Sequence, residues 1–215
     1  MSVDKDFYSR IIDFGLAFRM SERRSKMARV KIDANVFLYP MPMVLVGTAE
    51  ENRANFMAVA WVSRVNARPP MIAVALGKSH YTNPGIHKNK TFSVNVPGMD
   101  LLEKVDYCGL VSGKNDDKSQ LFDIFYGGLS NTPMIQQCPL CMECKLVNAV
   151  DLPTNTLFIG EIIGAYTEER FLTDGKPDIR KMIPFTLTMP DNNYWGMGNN
   201  VGKAWNIGKN LKTGK

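Results

Sequence analysis

The chain has 215 residues with a formal net charge of +5, 45% of them hydrophobic and 22% charged. That length suits one domain with appendages and a sizeable core, and the balance excludes a disordered chain. No apolar run approaches about 18 residues, so no membrane-spanning helix is expected, and the basic excess (Arg19, Arg23, Arg24, Lys26, Arg29; Lys203, Lys209, Lys212, Lys215) gathers at the two ends without interleaved aromatics, which argues against a nucleic-acid partner.

Residues 1–26 contain IIDFGLAF, but Asp4 and Asp6 precede it, Asp13 interrupts it and no small-residue cleavage site follows. A signal peptide is therefore not expected. It reads as an N-terminal extension, helical or disordered, with Met27 just before the patterned region, and the chain is expected in the cytoplasm. The patterned domain, 27–215, then opens with strands VLVGT (44–48), FMAVAWVSRV (56–65) and, after Arg68-Pro69-Pro70, MIAVAL (71–76). A short helix over 83–89 runs into an alternating strand, Thr91 to Val96, which stops at Pro97. Helical patterns at 99–107 and 116–126 form an insertion of about 99–130. Two strands follow at 141–150 and 157–169, the second with Gly160 and Gly164 as bulge positions. A last strand at 183–188 leads to a Gly- and Asn-rich tail of about 190–215. Many strands with a few inserted helices, and no regular alternation of the two, predict a mainly β protein: an antiparallel barrel rather than a doubly wound sheet.

Several chemistries lack their residues. Gly196, Gly198 and Gly202 have the wrong spacing for a dinucleotide fingerprint, with no convincing strand before and no acidic residue about 20 positions on. With only His80 and His87, a histidine triad or metal site has little material. Cys138, Cys141 and Cys144 fall in CPLCMEC, a spacing that suits an iron–sulfur or metal site, a redox-active thiol pair, or a structural role. A fourth ligand is not at hand in sequence, and Cys144 alternates with Met142 and Leu146 as a half-buried strand would, so the structural role is favoured and no metal is expected.

Two stretches invite a ligand. In KSHYTNPGIHKNKTFSVNVP (78–97), Thr82 suits an N-cap with Pro84 in the first turn, and a helix start attracts an anion. Lys78 adds a charge, and Ser79, Tyr81 and Thr82 add hydroxyls. The stretch is either an ordinary helix–strand joint or an anion cradle, and the polar face Thr91-Ser93-Asn95 either lines that cradle or faces water. In NFMAVAW (55–61), Ala58 and Ala60 leave one strand face low, so that a flat ring could lie against the backbone; core packing explains the same pattern.

Taken together, Asn55-x-Met57-x-x-x-Trp61, Pro69-Pro70, Lys78-x-x-Tyr81-Thr82-x-x-x-Ile86-x-x-Asn89-x-x-Phe92-x-Val94-Asn95-Val96-Pro97, Tyr107-Cys108-Gly109 with Ser112-Gly113 and Lys118, Cys138-Pro139 with Glu143-Cys144, Gly160-Glu161-Ile162, and Gly202 with Gly208-Lys209 resemble the flavoredoxin branch of the flavin reductase-like, FMN-binding split-barrel family. The resemblance runs in consistent order over roughly 35–212. It implies a split β-barrel that forms a homodimer with FMN near the interface. Carried onto this chain, it implies that Asn55, Met57, Ala58, Val59, Ala60 and Trp61 hold the isoalloxazine edge, that Lys78, Ser79, His80, Tyr81 and Thr82 hold the phosphate and ribityl chain, and that Asn95 faces the cofactor. Relatives often carry arginine at Gly77 and threonine at Ala58, so phosphate binding is expected to lean on Lys78. The electron donor is NAD(P)H or a redox protein, and chemistry on the flavin needs no catalytic side chain. A flavin-binding module without turnover, and a Cys-cluster metalloprotein, are the alternatives.

Overall fold

The structure, a computed structural model, describes residues 29–51 and 53–211, apart from the side chain of Asn210; the expected extension 1–26 lies outside the described residues. The chain divides into two units at Val36 and Phe37, and the larger, from Phe37 onward, contains the barrel. Its strands are β1 (Met41–Pro42), β2 (Val44–Glu50), β3 (Arg53–Val59), β4 (Val62–Asn66), β5 (Met71–Gly77), β6 (Thr91–Val96), β7 (Ile124–Phe125), β8 (Met134–Ile135), β9 (Leu140–Asp151), β10 (Asn155–Tyr166), β11 (Leu172–Thr173), β12 (Lys176–Pro177), β13 (Phe185–Thr188) and β14 (Asn193–Gly196). The helices are α1 (Thr82–Asn89), α2 (Leu102–Leu110) and α3 (Ile179–Met182), with short 3-10 turns between.

Seven strands form one sheet in the order β3-β2-β6-β9-β10-β5-β4, every pairing antiparallel. The two strands at its ends are consecutive in the chain, separated only by Ala60 and Trp61. A sheet whose edges are tied by two residues must roll up, and the amide of Ala75 donates to the carbonyl of Trp61 (2.9 Å) at the seam. The result is a split β-barrel. The single strand expected over 56–65 is therefore two, broken where the wall turns the corner. The register between β9 and β10 shifts at Ile159/Gly160 and Ile162/Gly164, where the glycines suggested bulges.

Each face of β2 is buried, which explains its unbroken apolar run. Val44 and Val46 point into the barrel with Val74, Leu76, Phe92, Cys144 and Phe158. Leu45, with neighbouring Met43, packs outward under α2, Phe122 and the β8–β9 turn. Met142 and Leu146 join Cys144 on the interior side, the half-buried alternation read from the sequence. Fully burying a side chain such as Phe56 or Phe92 contributes about 1.5–3 kcal/mol.

The helical expectation for 116–126 is corrected: only Lys118–Leu121 turns, as 3-10, before Ile124–Phe125 goes into β7. Asp117 caps that turn, its carboxylate accepting from the Ser119 amide (3.1 Å) and hydroxyl (2.5 Å), and the backbone leaves it at an extended Phe122. The polar face of β6 neither lines a cavity nor faces water. Residues 131–135 cover it: Thr91 Oγ1 bonds Asn131 Oδ1 (3.1 Å), the Ser93 hydroxyl donates to Pro133 O (2.5 Å), and Asn95 Oδ1 accepts from the Ile135 amide (3.1 Å).

Candidate functional site: a cavity at the barrel seam

Where the barrel splits, a cavity of about 620 Å³ opens, lined on one side by Met57, Ala58, Val59, Ala60 and Trp61. β3 ends the sheet, so its outer edge has no strand partner and its backbone groups on that side are free for a ligand. The alanines leave the wall low. A second wall comes from the end of β5 and the start of α1: Gly77, Ser79, His80, Tyr81 and Thr82. The third is the C-terminal end of α2 with the loop after it, Cys108 to Gly113 and Lys118, and Ala75, Asn155 and Met189 complete the lining.

Local sequence explains the second wall. α1 starts at Thr82, the expected cap itself, so that Tyr81 is the N-cap and makes no side-chain cap bond. Thr82 is the first helical residue, and its hydroxyl accepts from Asn55 Nδ2 (3.0 Å). That bond ties α1 to β3 and accounts for Asn55, which is buried one layer behind the cavity rather than lining it. Asn83 Nδ2 donates to Gly77 O (2.7 Å), closing the turn that presents Ser79 and His80. A Cβ on Gly77 would stand 3.0 Å from the His80 ring, so the imidazole occupies the space into which a longer residue at 77 would begin.

The third wall is latched. Arg53 Nη2 donates to Gly113 O (2.5 Å), with its guanidinium 5.8 Å from the centre of the Tyr81 ring. A side chain on Gly113 would collide with Asn55 and lie 2.9 Å from Tyr81 Cδ1, so only glycine lets the loop approach the barrel this closely. Tyr194 on β14 donates to Asp106 (2.8 Å) and holds α2 from outside; burial first, and then that bond, push the phenol up to about 12.

Lys118 sets the electrostatics. It is only 4% exposed, and its ammonium donates to Cys108 O (3.1 Å) and Val111 O (2.9 Å) at the end of α2. Among the described residues it forms no ion pair with a carboxylate. A buried cation without a counter-charge, in the wall of a cavity, suits an anionic or electron-rich ligand. Burial, and then the Lys118 charge, lower the pKa of His80, and burial raises the Cys108 thiol to about 11, which keeps it protonated.

Besides Asn55, two expected site residues lie outside the lining. Lys78 faces outward, its Nζ 3.8 Å from Asp151 in an exposed ion pair. Asn95 is fully buried, donating to Leu45 O (3.0 Å) and Ser93 Oγ (2.9 Å), and does not reach the cavity. Conversely, the lining contributed by Cys108–Gly113, Lys118, Asn155 and Met189 was not assigned to the site from sequence. The signal was the Tyr107-Cys108-Gly109, Ser112-Gly113 and Lys118 pattern in the resemblance. All four cysteines are free and buried, and no group of three or more metal-ligating side chains is found among the described residues.

Residues 36–180 match the flavin reductase like domain. The chain belongs to that family. Among solved structures, the flavoredoxin of Methanosarcina acetivorans is 54% identical, with a TM-score of 0.84 over 86% of this chain and 99% of that one. The flavoredoxin of Desulfovibrio vulgaris (Miyazaki F) is 33% identical, with a TM-score of 0.79 over 85% of this chain and 100% of that one. Among curated proteins, a ferric-chelate reductase (NAD(P)H) of Archaeoglobus fulgidus is 27% identical over 122 residues, 55% of this chain and 71% of that protein. This member of the flavin reductase-like family thus falls with its flavoredoxins, and its fold is that of a flavin-binding redox protein. The cavity fits such a cofactor: an unpaired strand edge over a low wall for a planar ring, a run of hydroxyls for a polar chain, and a buried cation.

Proposed function

We propose that the chain is an FMN-dependent redox protein that works as a flavoredoxin or as a NAD(P)H-linked flavin reductase. The observation that carries this reading is the unpaired edge of β3 facing Lys118 and the Ser79–Thr82 hydroxyls across one cavity. When bound, FMN would supply the redox chemistry, taking up a hydride or electrons and passing them on. The residues do the rest. The backbone of Met57 to Trp61 orients the ring, and Trp61, 46% exposed, shields its outer side. Ser79, Tyr81 and Thr82 bind the polar chain and the phosphate, with His80 beside them. Lys118 stabilises negative charge, and Asn55 fixes Thr82 in place. The chain has its own way of balancing charge: with glycine at 77 and Lys78 paired to Asp151, the buried Lys118 is the cation in the cavity lining. The domain is taken to run from about 27 to 215 and to work as a homodimer. Exposed Met197, Val201, Trp205, Ile207 and Leu211 along the tail support that reading.

The test is an anaerobic absorbance titration of the purified protein with NADH and then NADPH. A yellow protein that releases FMN on denaturation and bleaches with one of them is expected. A colourless preparation that FMN cannot reconstitute would sink the reading. A yellow protein untouched by either nucleotide places the donor among proteins.

A further inference from the structure

The CPLC segment lies outside the flavin cavity, and the proposed function makes no use of it. Cys138 sits in the turn between β8 and β9, where its amide donates to Ile135 O (3.1 Å). Cys141, near the start of β9, turns its thiol to the same carbonyl (3.2 Å) and lies 3.8 Å from Cys138 O. The Cys138 amide and the Cys141 thiol thus meet at one carbonyl, which brings the two residues side by side at the β8–β9 turn. Both are at most 5% exposed, yet both line a separate cavity of about 100 Å³, bounded also by Gln136, Tyr166 and Glu168, which is large enough for a small polar molecule. Cys144 is excluded from the group because it points into the barrel interior.

We propose that Cys138 and Cys141 are a reversible dithiol/disulfide site, oxidised by a small peroxide that enters this second cavity. The Cys141 sulfur attacks one peroxide oxygen while its proton passes to the other; the O–O bond breaks, water leaves and a sulfenic acid forms on Cys141. The other sulfur then attacks the first, the S–S bond forms, the S–O bond breaks and a second water leaves. Two thiols are oxidised and one peroxide is reduced to two waters. Burial pushes the Cys138 thiol well above its ordinary value, so Cys138 is the thiol that resolves the sulfenic acid rather than the one that meets the peroxide first.

The experiment treats the purified full chain with hydrogen peroxide, blocks the remaining thiols with iodoacetamide after denaturation, and maps tryptic peptides. Cys138, Cys141 and Cys144 share one peptide, Ser119 to Lys145, and Cys108 lies in another. The expected product carries one label in that peptide, on Cys144, and is lighter by two hydrogens, with Cys108 labelled; dithiothreitol restores three labels. In Cys138→Ser, dimedone should trap a sulfenic acid on Cys141. Three retained labels in the treated wild type, or a disulfide to Cys108 or Cys144, overturns the proposal. Neither readout depends on whether flavin is bound.

Discussion

Lys118 and Glu143 illustrate two uses of a buried charge. Lys118 has only carbonyl partners and an open side toward the cavity. Lys118→Met should keep the fold, by circular dichroism, while weakening FMN binding by about 1.5–3 kcal/mol, roughly tenfold to hundredfold in Kd by fluorescence titration. Glu143 is 2% exposed and fully occupied: it accepts from the amides of Gly128 (3.0 Å) and Leu129 (2.8 Å) and from the Tyr166 hydroxyl (2.6 Å). Burial alone would raise its pKa, but those three bonds outweigh it and the carboxyl sits below its ordinary value. A depressed folded-state pKa means that the folded state binds this proton less readily. Its contribution is therefore complete above the unfolded pKa of about 4.3 and is lost as pH falls through the lower folded value. Denaturant midpoints measured from pH 7 down to pH 3 should fall more steeply in the wild type than in Glu143→Gln. At pH 7, Glu143→Ala should cost on the order of 3 kcal/mol, because it strands buried donors.

Between elements, the loop after α2 matters most, because it forms a cavity wall yet has little regular structure of its own. Gly113→Ala would drive the loop off Asn55 and Tyr81 and weaken the Arg53 latch. FMN affinity should drop at least tenfold while the melting temperature falls by only a few degrees, about 1 kcal/mol on a domain of this size. A variant that unfolds outright, or binds FMN normally, would contradict that role for the loop. The same wall marks the limit of what sequence discloses. Met57–Trp61 and Ser79–Thr82 were legible because each is a contiguous run whose local pattern survives folding. Lys118 was not, since nothing in DDKSQLF distinguishes a lysine that turns inward from one that stays in water. Lys78 shows the converse: it stands beside the helix start in sequence, while its ammonium lies against Asp151. Asn95 shows a third case, a polar strand face that a distant segment covers and satisfies, which alternation within the strand cannot reveal.

At the scale of the molecule, strand order explains why the fold was readable while its contacts were not. Turns, glycine positions and strand lengths are local, and they sufficed for an antiparallel barrel. The pairing of β5 with β10, which brings Met71–Gly77 against Asn155–Glu161, is not. The exposed tail also belongs here. Analytical ultracentrifugation should give about twice the 24.1 kDa chain mass, and removal of residues 197–215 should shift the species toward one chain. A monomeric full-length protein would refute the dimer. The seam has one more consequence, in time. During synthesis the strand proposed to hold the ring is made early, but the cavity needs Asn155 and Met189, which follow Trp61 by 94 and 128 residues. The barrel can close only once β10 is available to β5, so the nascent chain holds an open sheet with its future flavin edge unpaired. Cofactor capture is therefore a late event, and a supply of free flavin should protect newly released chains by favouring the closed state over association through that edge.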